Sequence, residues 1–380
     1  MSQGDYGFGL YVHWPYCARI CPYCDFNVYR ARGHDPEPLI QAISADIAAH
    51  ASRFGRRRVD SVFLGGGTPS LLSGQEVERV LDAASRYFDL AADCEITLEC
   101  NPENAHLFAD QARAGINRFS IGAQALDDAA LKALGRDHDA AQAMRAADLA
   151  FATDQRVSLD LIYAREGQSV AAWREELKRA FKLPVGHLSL YQLTIEQGTA
   201  FERKVSRGQI TPPDDALAAD LYEATQEACA AGGFPAYEIS NHALSDAERS
   251  KHNLIYWRGG EWIGVGPGAH GRLWENGVRL ATEAHRDPNA YIAAVSGHGL
   301  GWSAYEALSS EAVADELLLM GLRVAEGVEL ARVEALHGAP LDPARIADLQ
   351  HEGLIESDNA RLRLTPRGRL LCNAVIAALA

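Results

Sequence analysis

From about residue 10 to residue 240 the chain alternates short apolar runs with longer stretches of helical periodicity, and this rhythm restricts the fold more than any other feature. The runs "LYVHW" (10–14), "SVFLG" (61–65), "EITLE" (95–99), "RFSIG" (118–122), "VSLDLIY" (157–163) and "LSLYQL" (188–193) have the length and side-chain content of strands. Amphipathic stretches at 37–53, 73–88, 127–134, 139–152 and 169–182 read as helices, and "SGQE" (73–76) has the form of a capping box. Six βα units predict an α/β fold with a parallel sheet, either flat and doubly wound or curved into a partial barrel. Both build their sites beyond the C-terminal ends of the strands. Chemistry-bearing residues gather there: Cys17 after the first strand, the "GGGTP" turn (65–69) after the second, Glu99 ending the third, Gln124 after the fourth and Asp160 within the fifth.

After residue 240 the rhythm breaks. "SKHNLIYWRGGEWIGVGPGAHG" (250–271) is rich in glycine and aromatics and reads as irregular loop with short strands. From about 305 a helical segment precedes a hairpin turned at Ser357–Asn359 and a closing helix, the order of a winged helix. The predicted organisation is a barrel over 1–240, a connecting segment over 241–300 and a small C-terminal α+β domain over 301–380. With 380 residues, 47% of them hydrophobic, the chain can bury a large core and a small one.

A net charge of −15 argues against a nucleic-acid partner, because such binding relies on cations that neutralise phosphates. The winged-helix-like segment does not escape this argument: residues 301–380 hold 12 acidic and 7 basic side chains, and Arg361, Arg363, Arg367 and Arg369 cluster within that acidic setting. No apolar run approaches the roughly 20 residues of a membrane helix, so no transmembrane segment is expected. "MSQGDYGFGLYVHW" lacks a signal-peptide layout, and seven clustered cysteines do not resemble a disulfide framework; the expected setting is a reducing cytoplasm.

Three of those cysteines, Cys17, Cys21 and Cys24, fall in "YCARICPYCDFN" at spacings of three and two intervening residues. Three thiolates on one loop can hold three corners of a cubane [4Fe–4S] cluster and leave the fourth iron open. A Cys3His zinc site using His13 or His34, or simply buried apolar cysteines, also fit these residues.

Cys-x3-Cys-x2-Cys with Tyr23 before the last cysteine resembles the radical S-adenosylmethionine (SAM) superfamily. The wider "YVHWPYCARICPYCDFN" is similar to one branch of it, the oxygen-independent coproporphyrinogen oxidases and HemW-type haem chaperones, over nearly the whole chain. The resemblance implies a partial (β/α)6, TIM-like radical SAM barrel with a smaller winged-helix-like domain. It also implies that SAM chelates the open iron through its amino and carboxylate groups and is cleaved by an electron from the cluster. Gly66, Gly67 and Thr68 would hold the methionine end, Arg136 its carboxylate, Glu99 an ammonium or ribose hydroxyl, and Asp160 the ribose. Gln124 belongs to the same motif set, and Tyr11 and Tyr23 would line the adenine pocket. The chain departs from the family at Ala164, Arg165 and Glu166, where Gly-Leu-Pro is usual, which changes the backbone freedom of that rim.

Within the branch, the oxidases carry a further cysteine where this chain has Phe26, and a longer N-terminal segment than the ten or so residues found here. "HNLIYW", which supplies His252, Asn253, Tyr256 and Trp257, matches the haem-chaperone signature. The resemblance therefore implies a protein that binds haem and delivers it to haem-requiring proteins, membrane-associated ones included. The alternative is a SAM-dependent coproporphyrinogen dehydrogenase. His252 reads either as an axial haem ligand or as a hydrogen-bonded core histidine, and Cys229, His242 and His270 are secondary candidates.

Overall fold

The computed structural model describes residues 6–358 and 360–379. Its first six long strands are β1 (Phe8–Trp14), β2 (Arg58–Gly66), β3 (Asp89–Cys100), β4 (Arg118–Gln124), β5 (Arg156–Tyr163) and β6 (His187–Gln192). They pair in parallel and in chain order, with helices crossing between them. Parallel strands covered on both faces need continuous apolar runs, and β1 is buried at every position but Tyr11. Each predicted strand is present, and the predicted helices appear at Glu37–Phe54, Gly74–Tyr87, Asp128–Ala133, Ala140–Phe151 and Val170–Ala180. The capping box forms as read: the Glu76 amide donates to Ser73 Oγ (3.3 Å), and the Ser73 amide donates to Glu76 Oε2 (2.7 Å).

The segment expected as irregular loop with short strands does carry strands, but they are regular and extend the same sheet, with the helices Lys251–Trp257 and Pro288–His298 between them. β7 (Asn241–Ala243) closes one edge antiparallel to β6. β8 (Glu261–Val265) lies parallel to β1 on its other side, followed by β9 (His270–Glu275), β10 (Val278–Ala284) and β11 (Trp302–Leu308), all antiparallel. The result is one eleven-stranded sheet in the order β11-β10-β9-β8-β1-β2-β3-β4-β5-β6-β7. The expected boundary at residue 300 is corrected accordingly, because β11 belongs to the sheet and the small domain begins after Leu308.

A buried polar network pins this extension to the barrel. Asp46, in the helix Glu37–Phe54, accepts from Tyr291 Oη (2.7 Å) and the Gly301 amide (3.3 Å) and lies 3.0 Å from His50 Nδ1. Tyr291 Oη in turn accepts from the Gly266 amide (2.9 Å) at the end of β8. Tyr291→Phe removes a donor from a buried carboxylate and should lower unfolding free energy by about 2 kcal/mol. Urea denaturation would check this; an unchanged midpoint would show that the network contributes nothing to the attachment.

The small domain has its own apolar core, from Ala314 to Leu379, around a three-stranded antiparallel sheet. Its helix–hairpin–helix order is the winged-helix arrangement, although Asn359 of the expected turn lies outside the described residues. The clustered arginines are engaged in holding it together: Arg361 donates to Gly327 O, Arg363 to Glu326 O and Arg367 to Glu352 O.

Candidate functional site

The C-terminal ends of β1 to β6 surround a cleft of about 390 Å³. Cys17, Cys21, Tyr23, Cys24, Gly66, Gly67, Thr68, Glu99, Gln124, Arg136 and Asp160 all line it, so residues scattered over more than 140 positions meet at one site. Tyr11 is not among the lining residues: its hydroxyl is 2.9 Å from His13 Nδ1 inside the barrel, so the structure does not bear out its expected place on the cleft wall.

Backbone hydrogen bonds tie the cysteine loop to the glycine turn. The Gly67 amide donates to Trp14 O (2.7 Å) and the Thr68 amide to Tyr16 O (2.9 Å). The glycines are required sterically. A Cβ on Gly67 would lie 2.7 Å from Trp14 O and 2.9 Å from Tyr16 O, and Gly66 has φ +103° with the His13 ring 2.4 Å from where its Cβ would be.

Arg136 links loop and barrel. It donates to Cys21 Sγ (3.2 Å), Asn101 Oδ1 (2.7 Å) and Gly122 O (3.1 Å), while its Nε has no partner among the described residues. Asn101 was not singled out from the sequence, although it stands in the same "LECNPEN" stretch as Glu99. Ser120 was missed too; its hydroxyl donates to Asp160 Oδ2 (2.9 Å). A serine within a strand run carries no periodic signal that separates it from core. His13, one suggested zinc ligand, has its Nε2 3.0 Å from Asn27 O, and His34 stacks on Tyr16 with ring centroids 3.6 Å apart. Among the described residues no three His, Cys, Asp or Glu side chains converge as a single ion requires.

Glu99 accepts from the Gly66 amide (2.9 Å). Burial, reinforced by the nearby Asp160 carboxylate, pushes Glu99 up to about 7 against that hydrogen bond. A carboxyl raised on folding favours the folded state below its unfolded value of 4.5, and that contribution is lost as pH rises through about 7. Glu99→Gln should therefore leave the stability of the ligand-free protein unchanged at pH 4 and raise it by roughly 2 kcal/mol at pH 8. Urea denaturation at both pH values tests this, and equal effects at the two would sink it.

The departure from the family at residues 164–166 has a local structural answer. Ala164 adopts φ +59°, a left-handed conformation suited to glycine, and Gln124 does likewise at φ +67° beside a register shift in β4. The rim thus keeps a glycine-like backbone path with a side chain imposed on it. Arg165 donates to Glu176, which also receives the Leu126 amide.

The "HNLIYW" residues lie elsewhere. His252 is buried on the helix Lys251–Trp257, beneath β1 and β2 at their N-terminal ends. Its Nδ1 is 2.7 Å from Ser61 Oγ, its Nε2 is 2.6 Å from Tyr256 Oη, and its ring stacks on Phe63. Burial lowers its pKa to about 3. His252 has the surroundings of a core histidine: both ring nitrogens are engaged, and neither faces open space. Asn253 is half-buried, and its amide donates to the capping Ser250 Oγ; Trp257 packs near Tyr237 and Val324. Cys229 is fully buried, His242 is buried against the small domain's Arg369, and His270 is exposed on β9.

The model of the radical SAM superfamily matches residues 11–180, and that of the HemN C-terminal domain matches residues 308–371. A heme chaperone HemW of Mycobacterium tuberculosis is 37% identical, with 98% of this chain and 94% of that protein covered. The chain belongs to the HemW family. A HemW from Escherichia coli is 41% identical over 74% of this chain, and a bovine (Bos taurus) mitochondrial radical SAM domain-containing protein is 37% identical over 100% of it. Among solved structures, the coproporphyrinogen III oxidase HemN of Escherichia coli superposes with a TM-score of 0.82. It shares 20% identity and covers 98% of this chain and 90% of that one, which shows the fold alone. Membership of the radical SAM superfamily implies a [4Fe–4S] cluster and SAM.

Proposed function

We propose that this protein binds haem and hands it to haem-requiring proteins, while retaining a radical SAM site. The observation that carries this reading is the end-to-end match to proteins named haem chaperones at 37% identity, against 20% for the coproporphyrinogen oxidase of the same fold. Phe26, 61% exposed beside the cleft, supports it, because the resemblance to the oxidases would put a cysteine there.

The cleft has the donors that the superfamily's cofactors need. Cys17, Cys21 and Cys24 would hold the cluster, with Arg136 donating to the Cys21 sulfur. Gly66, Gly67 and Thr68, with Glu99, Gln124 and Asp160, would hold SAM; Tyr23 borders the same space. The unpartnered Nε of Arg136 is free for the methionine carboxylate. When bound, the cluster and SAM together supply one-electron reductive chemistry; the chain's own residues orient the cofactor and shield it. All seven cysteines are free thiols, which suits a reducing compartment such as the cytoplasm. No helix among the described residues is long and apolar enough to cross a membrane.

The test is a haem titration of the anaerobically reconstituted full-length protein, alongside an assay with SAM, a reductant and coproporphyrinogen III. Stoichiometric haem binding without porphyrinogen turnover is expected. Protoporphyrinogen formation coupled to SAM consumption would overturn the carrier reading in favour of the dehydrogenase.

A further inference from the structure

A second cavity, of about 660 Å³, lies at the N-terminal end of the barrel, between the sheet extension and the small domain. Its apolar walls include Trp274, Val313, Leu317 and Leu336, and two arginines, Arg279 and Arg332, border it. Arg279 is 2% exposed and donates to Gly260 O (2.6 Å), yet its Nε has no partner among the described residues. Arg332 donates to Gly259 O (2.8 Å) and lies 3.7 Å from the centre of the Tyr6 ring.

Neither guanidinium forms an ion pair among the described residues. The nearby carboxylates are already engaged, Glu261 by Arg57 (2.7 Å), Glu316 by Arg272 (2.8 Å) and Glu329 by Arg361 and the Tyr6 hydroxyl. Buried charges are ordinarily paired, and burial lowers the pKa of Arg279 to about 10, the sign of a cation held at a cost. Two unpaired guanidiniums beside one apolar space suit a ligand with an apolar body and carboxylates.

We infer that haem docks in this cavity, with its carboxylates on Arg279 and Arg332 and its apolar body among Trp274, Val313 and Leu317. The inference rests on the haem-carrier reading above and gives it a location. It also gives the "HNLIYW" helix a role. The carbonyls that hold both arginines, those of Arg258, Gly259 and Gly260, follow that helix directly, and His252 anchors it to β2 through Ser61. His252 is then a positioning residue rather than an iron ligand.

The experiment titrates the full-length protein with ferric haem, metal-free protoporphyrin IX and protoporphyrin dimethyl ester. The double variant Arg279→Leu/Arg332→Leu should lose about a hundredfold in affinity for haem and for the free-acid porphyrin, roughly tenfold per carboxylate, and leave ester binding unchanged. Ala335→Trp, at an exposed position on the helix Leu330–His337 that lines the cavity, narrows the space without touching a charge and should weaken all three ligands; it replaces the double variant if that fails to fold. His252→Ala should weaken haem and metal-free porphyrin equally. Loss of haem binding alone would make His252 an iron ligand and overturn the inference. Haem binding by the wild type that none of these variants alters would also overturn the cavity assignment and leave the carrier reading standing. Absence of haem binding by the wild type would overturn both.

Discussion

Cys21→Ala should leave the full-length protein folded but unable to retain iron and sulfide after anaerobic reconstitution, whereas the wild type should hold about four irons per chain. The three cysteine thiols line one cleft, and each would hold one corner of the cluster. With Cys21 gone, two thiols remain, and the Arg136 guanidinium loses the sulfur to which it donates at 3.2 Å. Cys21 is only partly buried, so its truncation costs little packing and the loss is chemical rather than structural. Cys229→Ala is the matched control: that thiol is fully buried on the helix Asp215–Ala231, away from the cleft, and its removal should cost stability but no iron. Normal iron and sulfide in Cys21→Ala would remove the cysteine loop as the cluster site.

The second large effect is expected at Gly67. An alanine there would put its Cβ 2.7–2.9 Å from backbone atoms of Trp14, Pro15 and Tyr16, which cannot rotate away as a side chain could. The substitution must either push the glycine turn off the cysteine loop, breaking the Gly67–Trp14 and Thr68–Tyr16 hydrogen bonds, or strain both segments. About 3 kcal/mol of destabilisation follows from overpacking of this kind. SAM binding, measured calorimetrically on reconstituted protein, should fall below detection because the turn and the loop form the same wall. Gly297→Ala, in the helix Pro288–His298 with nothing within 4 Å of the added Cβ, should be neutral or slightly stabilising. If Gly67→Ala behaved like that control, the close approach would carry no weight.

Much of the architecture around the cleft was legible because it is written locally. A strand of a parallel sheet announces itself by an apolar run, and a helix by its period and cap, as Ser73 and Glu76 illustrate. The strands of 261–308 were read only as short pieces within irregular loop because glycines interrupt the apolar runs at 259–271. Gly264 and Gly271 sit where strands approach so closely that a Cβ would meet backbone, a requirement of pairing that no local pattern reveals. Tyr11, on β1, was placed on the cleft wall for a related reason. Inside a barrel, successive inward positions along one strand can face the cleft or the core beneath it, and the sequence does not record depth.

The amino-acid sequence by itself determined the βα order, the three-thiol loop and the glycine turn that follows β2, because each depends on spacings of a few residues. Tertiary structure alone decided that Glu99, Arg136 and Asp160 share a cleft with that loop, that Ala164 takes a backbone conformation suited to glycine, and that His252 is enclosed between Ser61 and Tyr256. It alone brought Arg279 and Arg332 to one cavity through the carbonyls after Trp257. Such meetings depend on how strands stack and domains dock over tens to hundreds of residues, where burial and hydrogen-bond satisfaction, not local propensity, select the partners.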